Sequence, residues 1–228
     1  MDLTVIIGMI GGLISIATGD LMEGGNPAHV IHITSLIIVI PTAMFSAATA
    51  TESHALSAAF KELKMVFKKS PINFEERIDQ IVDYAIMVKK NGVLALEKDV
   101  QLIEDAFLKE ALGMVVDGSK EEQIEKFLEP IIEETEHYYH GASHYWLLAG
   151  ETCPVMGLIG AVLGLILALQ KLDNPAEMAA GIAGAFTATV TGIAGAYMFL
   201  GPWGNKMKAK AHLLIKEKQL ILEGVKGI

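Results

Sequence analysis

Long apolar runs separated by short polar turns stand at both ends of the sequence. Four stretches contain no charged residue, namely Leu3–Gly19, Ala28–Ala50, Thr152–Gln170 and Met178–Trp203. Each approaches or exceeds the ~17–25 residues that a helix needs to cross a bilayer. The pattern therefore predicts four transmembrane helices, in two pairs with a short turn inside each pair.

The middle of the chain has the helical spacing of apolar positions that is typical of amphipathic helices, as in Ile81, Tyr84 and Val88. It is predicted to be a compact helical domain, and the segment after the fourth span is predicted to be a helix that continues it. The predicted fold is all-α, a polytopic membrane protein with a cytoplasmic helical domain. Its predicted segments are residues 1–50, 51–145, 146–203 and 204–228.

The basic residues indicate the orientation, because Lys and Arg collect in cytoplasmic flanks. Apart from Lys171, all of them lie between Lys61 and Lys126 or after Trp203. The middle domain and both termini are therefore expected in the cytoplasm, with the two short turns outside. Trp146 and Trp203 are then expected at the same cytoplasmic interface as aromatic belt residues.

The composition excludes several classes of function. A net charge of −9 leaves no concentrated basic surface for nucleic acid. The single cysteine, Cys153, excludes an intrachain disulfide and Cys-x-x-Cys motifs, and no Gly-x-x-x-x-Gly-Lys-Ser/Thr loop is present to bind a nucleotide. His137, His140 and His144 have a spacing able to bind a metal, but without a clear fourth ligand they favour an amphipathic interface helix. No metal and no cofactor are expected, and any work would draw on an ion gradient.

No Asp, Glu, Lys or Arg lies at mid-depth of a predicted span. Because proton transfer through hydrocarbon needs an ionisable group, the carboxylate must come from a partner chain. This chain then contributes hydroxyl groups, together with backbone carbonyls whose helical hydrogen-bond donor is missing because of a proline. Spacing does not choose among the hydroxyl candidates, which are Thr42, Thr152, Thr187, Thr189 and Thr191.

Small residues recur at helical spacing in the last two spans, from Gly157 to Gly164 and from Gly181 to Ala196. This spacing predicts close helix packing, and it is compatible with a surface that lines a central space filled by another helix. Pro154 and Pro202 lie near the cytoplasmic ends of these spans, where they serve as hinges or simply end the helices.

Several motifs resemble those of a known family. They are KKNGVLALEKD at Lys89–Asp99, GETCPVMGLIGAVLGL at Gly150–Leu165, AGAFTATVTGIAGAYMFLGPWGNK at Ala183–Lys206 and EGGNP at Glu23–Pro27. With two spans, a cytoplasmic domain, two more spans and a basic tail, the chain resembles the MotA branch of the MotA/TolQ/ExbB proton-channel superfamily over essentially its whole length. That branch supplies stator subunits of the bacterial flagellar motor.

The resemblance implies roles for particular residues. Lys89 and Glu97 match the basic and acidic residues that contact the rotor protein FliG, with Lys where Arg is common, which keeps the charge and weakens bidentate pairing. Prolines needed for torque match Pro154 and Pro202. The hydroxyl near the ion site matches Thr189, and sodium-driven relatives carry Thr at the position of Ala161, so H⁺ is the expected coupling ion.

The resemblance also implies the assembly. Five such chains form a homo-oligomeric ring in the bacterial cytoplasmic (inner) membrane around a MotB dimer, whose Asp carries the proton. The small-residue surfaces of spans three and four line the central cavity, and the turning ring pushes FliG. The chain is expected not to be an enzyme. The alternatives are a TolQ- or ExbB-like energiser of envelope transport, which normally has three spans, and a four-span scaffold without an ion role.

Overall fold

The computed structural model describes residues 2–26, 32–70 and 72–228, and over these residues it contains helices and no strands. The all-α fold class is therefore confirmed. In chain order the helices are α1 Leu3–Met22, α2 Ile33–Thr49, α3 Ser53–Lys61, α4 Leu63–Phe67, α5 Phe74–Asn91, α6 Glu97–Leu102, α7 Ala106–Val116, α8 Glu121–Leu169, α9 Pro175–Ala194 and α10 Gly201–Lys226. A 3₁₀ turn, Val93–Leu96, precedes α6, and a π-helical segment, Gly195–Leu200, joins α9 to α10.

The chain forms two compact units. The first contains residues 1–69 and 139–208, and the second contains residues 70–138 and 209–228. Among the described residues, three helices are long and apolar enough to cross a membrane, namely α1, α8 and the unbroken helix from Pro175 to Lys226. The apolar helix α2 has 17 residues. The expected start of the second span at Ala28, and Pro27 of the outer turn, lie outside the described residues.

Glycines bring α8 and α9 into backbone contact within the first unit. A Cβ added at Gly157 would lie 2.9 Å from the carbonyl oxygen of Ala188 and 3.1 Å from Cα of Gly192. One added at Gly164 would lie 2.9 Å from the backbone nitrogen of Ala185. We call this contact between α8 and α9 the glycine seam. The prediction of close packing by small residues is confirmed, because these glycines face each other inside one chain.

Helix α2 covers one side of the glycine seam. Its buried residues Ser35, Val39, Ala43 and Ala47 recur every fourth position and so form one face of the helix. The Thr152 hydroxyl on α8 is within 3.4 Å of the carbonyl oxygen of Ala43. Serine or alanine at three of these four positions allows the close approach of α2.

Helix α1 has no buried residue, so it lies at the periphery of the first unit. Its start is nevertheless held in place. The Asp2 carboxylate pairs with the Lys206 ammonium at 2.9 Å, and the Asp2 backbone N–H donates to the carbonyl of Phe67 at 2.8 Å. The beginning of α1, the end of α4 and the beginning of α10 therefore lie together.

The prediction that Trp146 is a membrane-belt residue is wrong. Its side chain is 1% exposed, and the indole N–H donates to the carbonyl of Ala59 at 3.0 Å. Its ring lies 5.2 Å from Phe60 and 5.4 Å from Trp203. Trp146 therefore fixes α3 to α8 and α10, because a buried indole contributes both a large apolar surface and one N–H that needs an acceptor.

The second unit has its own apolar core, which includes Leu96, Leu108, Leu112, Leu128 and Ile221. These residues come from the 3₁₀ turn, α7, α8 and α10. The predicted compact helical segment is thus completed by the C-terminal end of the chain, which lies more than 90 residues away from α8 at Leu128 in sequence.

Arg77 links three helices of the second unit. Its guanidinium donates to the Glu217 carboxylate of α10 at 2.8 and 2.9 Å and to Asp105 at 2.8 Å. The other carboxylate oxygen of Asp105 accepts from the backbone N–H groups of Phe107 and Leu108 and so caps α7. One arginine therefore ties α5 to the start of α7 and to α10.

Lys218 neighbours this cluster. Its ammonium lies 4.2 Å from the centre of the Phe107 ring, in cation–π geometry. Partial burial lowers the pKa of Lys218, and the negative charges of Asp105 and Glu217 act in the opposite direction.

Replacing Gly157 by Ala tests the glycine seam. The added Cβ meets α9 backbone, which has no flexible end to move aside, so we expect unfolding free energy to fall by about 1–3 kcal/mol, as in other overpacked contacts. The measurement is the melting temperature of the purified chain in detergent. Gly11→Ala is the matched control, because a Cβ there meets no atom within 4 Å. Equal melting temperatures for the two variants would contradict the seam's importance.

Replacing Arg77 by Met tests the second unit. Glu217 is 8% exposed, so its carboxylate loses its guanidinium partner where water cannot replace it fully. We expect opening free energy of α7 amides to fall by about 3 kcal/mol, the low end for breaking a buried pair. Hydrogen exchange of the full chain measures this. The control Lys171→Met removes an exposed pair with Glu177 at 2.9 Å and should change local exchange by less than about 1 kcal/mol; similar effects from both variants would refute the buried link.

Candidate functional site

The three threonines of α9 have different hydrogen bonds. Thr187 donates to the carbonyl of Gly184 at 2.9 Å, and its hydroxyl lies 3.2 Å from that of Ser35. Thr191 is buried and donates to the carbonyl of Thr187 at 2.8 Å. The Thr189 hydroxyl makes only a long 3.4 Å contact with the carbonyl of Ala185. Thr189 is therefore the hydroxyl of α9 that is least committed to its own chain.

Thr189 lies on the flank of the glycine seam. At about 100° per residue, it falls between the seam residues Ala185 and Gly192 and the exposed side chains of Phe186 and Val190. Its backbone therefore lies against α8, while its side chain borders the outer surface of α9.

Ala161 occupies the equivalent flank of α8. It falls between the seam residues Gly157 and Gly164 on one side and the exposed side chains of Leu158 and Val162 on the other. Because Gly157 packs at Gly192 while Gly164 packs at Ala185, the two helices are antiparallel. Two antiparallel right-handed helices turn these flanks to the same side, opposite to α2, and to the same depth.

The resulting surface is an apolar groove, which we define by Leu158, Ala161 and Val162 of α8 with Phe186, Thr189 and Val190 of α9. The register of the glycine seam thus places the two predicted ion-path residues, Thr189 and Ala161, on this side of the helix pair, next to the seam. None of the six defining residues is ionisable. The groove provides a hydroxyl and an apolar lining, and a proton carrier has to be supplied by another molecule.

The predicted hinge residues lie beside the same helix pair, nearer to Trp146 and Trp203. Pro154 is inside α8, and its Cα would be 3.2 Å from a Cβ at Gly192. Pro202 is the second residue of α10 and directly follows the π-helical segment. Since proline has no N–H to donate to the preceding turn, a wider turn before Pro202 relieves the missing bond.

The predicted rotor-contact residues lie in the second unit. Lys89 is in the last turn of α5 and Glu97 is the first residue of α6. Between them, Gly92 adopts a left-handed φ of 81° and Leu96 is fully buried. The buried Leu96 anchors this turn between α5 and α6, which we call the corner. Both charged side chains remain exposed, with no ion-pair partner among the described residues.

Sequence reasoning missed two residues whose contacts hold the helices around the site and in the second unit. Ser35 is a buried hydroxyl on α2 that contacts Thr187, and its place at the four-residue spacing of Val39, Ala43 and Ala47 was the available signal. Arg77, the only arginine of the sequence, links helices whose residues are 28 and 140 positions away. A single arginine in a chain whose other basic residues are all lysines was a signal, because a guanidinium group can bind two carboxylates at once.

The three histidines of α8 do not form a metal site. His140 and His144 stack with ring centres 6.0 Å apart. Within the described part of the chain, no group of three or more His, Cys, Asp or Glu side chains is arranged to hold a metal ion. All three histidines are exposed.

The chain is similar to known proteins over its full length. A model of the MotA/TolQ/ExbB proton channel family matches residues 99–219. Motility protein A of Helicobacter pylori (strain ATCC 700392 / 26695) is 54% identical over 228 residues, which cover 100% of this chain and 89% of that protein.

Two solved structures have the same fold. The C. jejuni MotAB structure matches with a TM-score of 0.96 and 53% identity, covering 100% of this chain and 89% of that chain. The flagellar MotAB stator complex from Bacillus subtilis matches with a TM-score of 0.89 and 29% identity, covering 98% of this chain and 89% of that chain. The chain therefore belongs to the MotA/TolQ/ExbB proton channel family and, within it, to the MotA branch.

Proposed function

We propose that this chain is one of five subunits in a ring that surrounds a MotB-type dimer and turns as protons cross the membrane. Its family and its MotAB relatives establish the coarser function, a membrane-associated subunit of the flagellar stator proton channel and not an enzyme. The observation that carries the finer proposal is the apolar groove, which presents Thr189 and no ionisable group.

The groove suits a partner helix that brings a carboxylic acid. A charged carboxylate is costly in an apolar surrounding, whereas the protonated acid needs only a hydrogen bond. Thr189 is available for that bond because its hydroxyl is held by one long contact. The partner of the required chemistry is the MotB-type chain, whose single span carries an Asp in the family.

Protonation then controls movement. With its Asp neutral, the partner helix can sit against the apolar groove of one subunit. Loss of the proton towards the cytoplasm makes that position unfavourable, and the ring moves until a protonated acid of the partner meets the groove of the next subunit. The direction of the proton gradient makes the sequence of steps one-way.

The coupling ion in this proposal is H⁺. Ala161 has a methyl group where an additional hydroxyl would supply an oxygen ligand for Na⁺, and sodium needs several oxygens at short distance. The groove as described offers one side-chain oxygen, that of Thr189. A proton needs no coordination shell.

The first unit supports a chain with four spans in the bacterial cytoplasmic membrane. Helix α1 begins beside the ends of α4 and α10, as the Asp2 contacts with Phe67 and Lys206 show. Several exposed lysines, including Lys61 and Lys64, lie in the same region of the first unit. The positive-inside rule assigns this side, with both termini, to the cytoplasm.

Torque leaves the ring through Lys89 and Glu97. Both side chains are exposed and lie on either side of an anchored turn, so opposite charges on the rotor protein FliG can reach them without unfolding the corner. Charged contacts at a surface allow repeated binding and release, because water screens them as they separate.

The alternative, a TolQ- or ExbB-like energiser, uses the same membrane chemistry. Two apolar helices precede the second unit, which matches the stator layout better than that of a protein with one such helix. The relatives named motility protein A favour the stator as well.

Complementation tests the stator function. A motile bacterium that lacks its own stator pair should swim when it receives this chain with a MotB-type partner.

The double reversal Lys89→Glu with Glu97→Lys should weaken rotor binding more than about tenfold, because reversed charge pairs cost several kcal/mol. Swimming in soft agar and the amount of chain in the membrane are the two readouts.

Lys120→Glu is the control for this experiment, since Lys120 is also exposed in the second unit. Normal swimming by the double reversal would refute the rotor contact. Rescue of an envelope-transport defect by a TolR-type partner, without swimming, would favour the energiser.

Ion replacement tests the proton assignment. Motors driven by this chain should keep their speed when Na⁺ is exchanged for K⁺ at constant proton-motive force, and they should stop when a protonophore removes the gradient. The measurement is the rotation rate of single tethered cells. Rotation that requires Na⁺ would show that Ala161 does not prevent sodium coupling.

A further inference from the structure

The surface of α8 that borders the apolar groove continues as a polar stripe on the cytoplasmic side. Leu165, Leu158, Glu151 and His144 are spaced seven residues apart, and seven residues are close to two full turns, so they share one face of the helix. All four side chains are exposed in the first unit. The stripe is therefore apolar beside the groove and titratable beyond it.

Glu151 is the first titratable residue of this stripe beyond the apolar groove. It precedes Ala161 by ten residues, or about 15 Å of helix, which is about half the thickness of a hydrocarbon core. Its carboxylate has no ion-pair partner among the described residues. A carboxylate left unpaired at such a depth is available to accept a proton.

His144 and His140 follow one and two steps further. They lie about 10 and 16 Å from Glu151 along the helix, and their rings stack with centres 6.0 Å apart. Imidazole is the side chain whose ordinary pKa lies near neutral pH, so it accepts and releases protons in the cytoplasm. The distances require water molecules between the groups, which the exposed helix face permits.

We propose that Glu151, with His144 and His140 after it, is the proton exit of this chain, an inference that rests on the proposed stator function. The neutral carboxylic acid of the partner loses its proton through water to the Glu151 carboxylate, which becomes a carboxylic acid. That acid passes the proton through water to the imidazole of His144, shared with His140. The resulting imidazolium releases it to bulk water, and both groups return to their starting state.

The neighbouring groups are consistent with transfer along this stripe. His140 and His144 face each other's rings, and the Ser143 hydroxyl donates to the backbone carbonyl of His140 at 3.0 Å rather than to a ring. Within the described residues, Glu151 makes no ion pair with a lysine or arginine. A fixed positive charge there would oppose the passage of a proton.

Measuring the motor at high and at low load distinguishes a defect in proton release from a structural defect. Near stall, the motor stands close to balance between the ion gradient and the load, so stall torque does not depend on the rate of any proton step. At low load, speed depends on those rates. The experiment measures single-motor rotation with small and large attached beads, in a strain without its own stator that carries this chain and its MotB-type partner.

The variants are Glu151→Gln and the pair His144→Gln with His140→Gln. Each should lower low-load speed by about threefold or more and leave stall torque unchanged. A positioned proton acceptor accelerates proton transfer by more than this in dry sites, and water on the exposed helix face replaces part of the effect. Glu151→Asp should restore low-load speed, because it restores the acceptor with a shorter side chain.

Glu134→Gln, an exposed carboxylate on another face of α8, and His212→Gln, an exposed histidine of α10, are the matched controls and should rotate like the unaltered chain. Unchanged low-load speed in both test variants would overturn the proposal. A proportional fall in stall torque and low-load speed would overturn it too, since that is the result of a structural defect. Absence of rotation with the unaltered chain would overturn the stator function and this inference with it.

Discussion

Backbone contact between α8 and α9 is the constraint on which the rest of the first unit depends. Lipid offers no hydrophobic reward for bringing two apolar helices together, so they must gain from close packing. The added Cβ positions at Gly157, Gly164 and Gly192 all fall within about 3 Å of the other helix. This approach fixes the register of the pair, and the register in turn places Ala161 and Thr189 at one depth on one flank. The position of the apolar groove thus follows from the glycines, which lack side chains between the two helices.

Much of this arrangement was predictable, since it depends on local pattern. Uncharged runs of sufficient length predict the apolar helices, and small residues at helical spacing predict that two of them touch. The proposed rotor contacts Lys89 and Glu97 come from the resemblance of a motif, and the exposed turn that carries them follows from Gly92, whose left-handed backbone suits glycine. In each case the information lies within about a dozen neighbouring residues.

The remainder depends on partners that are distant in sequence. Sequence reasoning from the residues left the three threonines of α9 equivalent. Their different burial and hydrogen bonds distinguish them, including the contact of Thr187 with Ser35, 152 positions away. Tryptophan is a residue type typical of the membrane interface, but Trp146 is buried in contact with Ala59 and Phe60. The π-helical turn before Pro202 likewise follows from how one proline is accommodated, which apolar periodicity does not reveal. Local pattern predicts which surfaces meet, and tertiary contacts decide which polar groups remain free.

The apolar groove also has a consequence for ion leakage before the complex is assembled. An ion path that was complete within one chain would drain the gradient from the moment of membrane insertion, before any rotor was engaged. Here the hydroxyl and the apolar lining belong to this chain, while the group that carries charge does not. In the proposed mechanism a surplus copy without its partner conducts no protons, so leakage is set by the supply of the partner and by assembly. The cell can therefore hold a reserve of these subunits without spending its gradient.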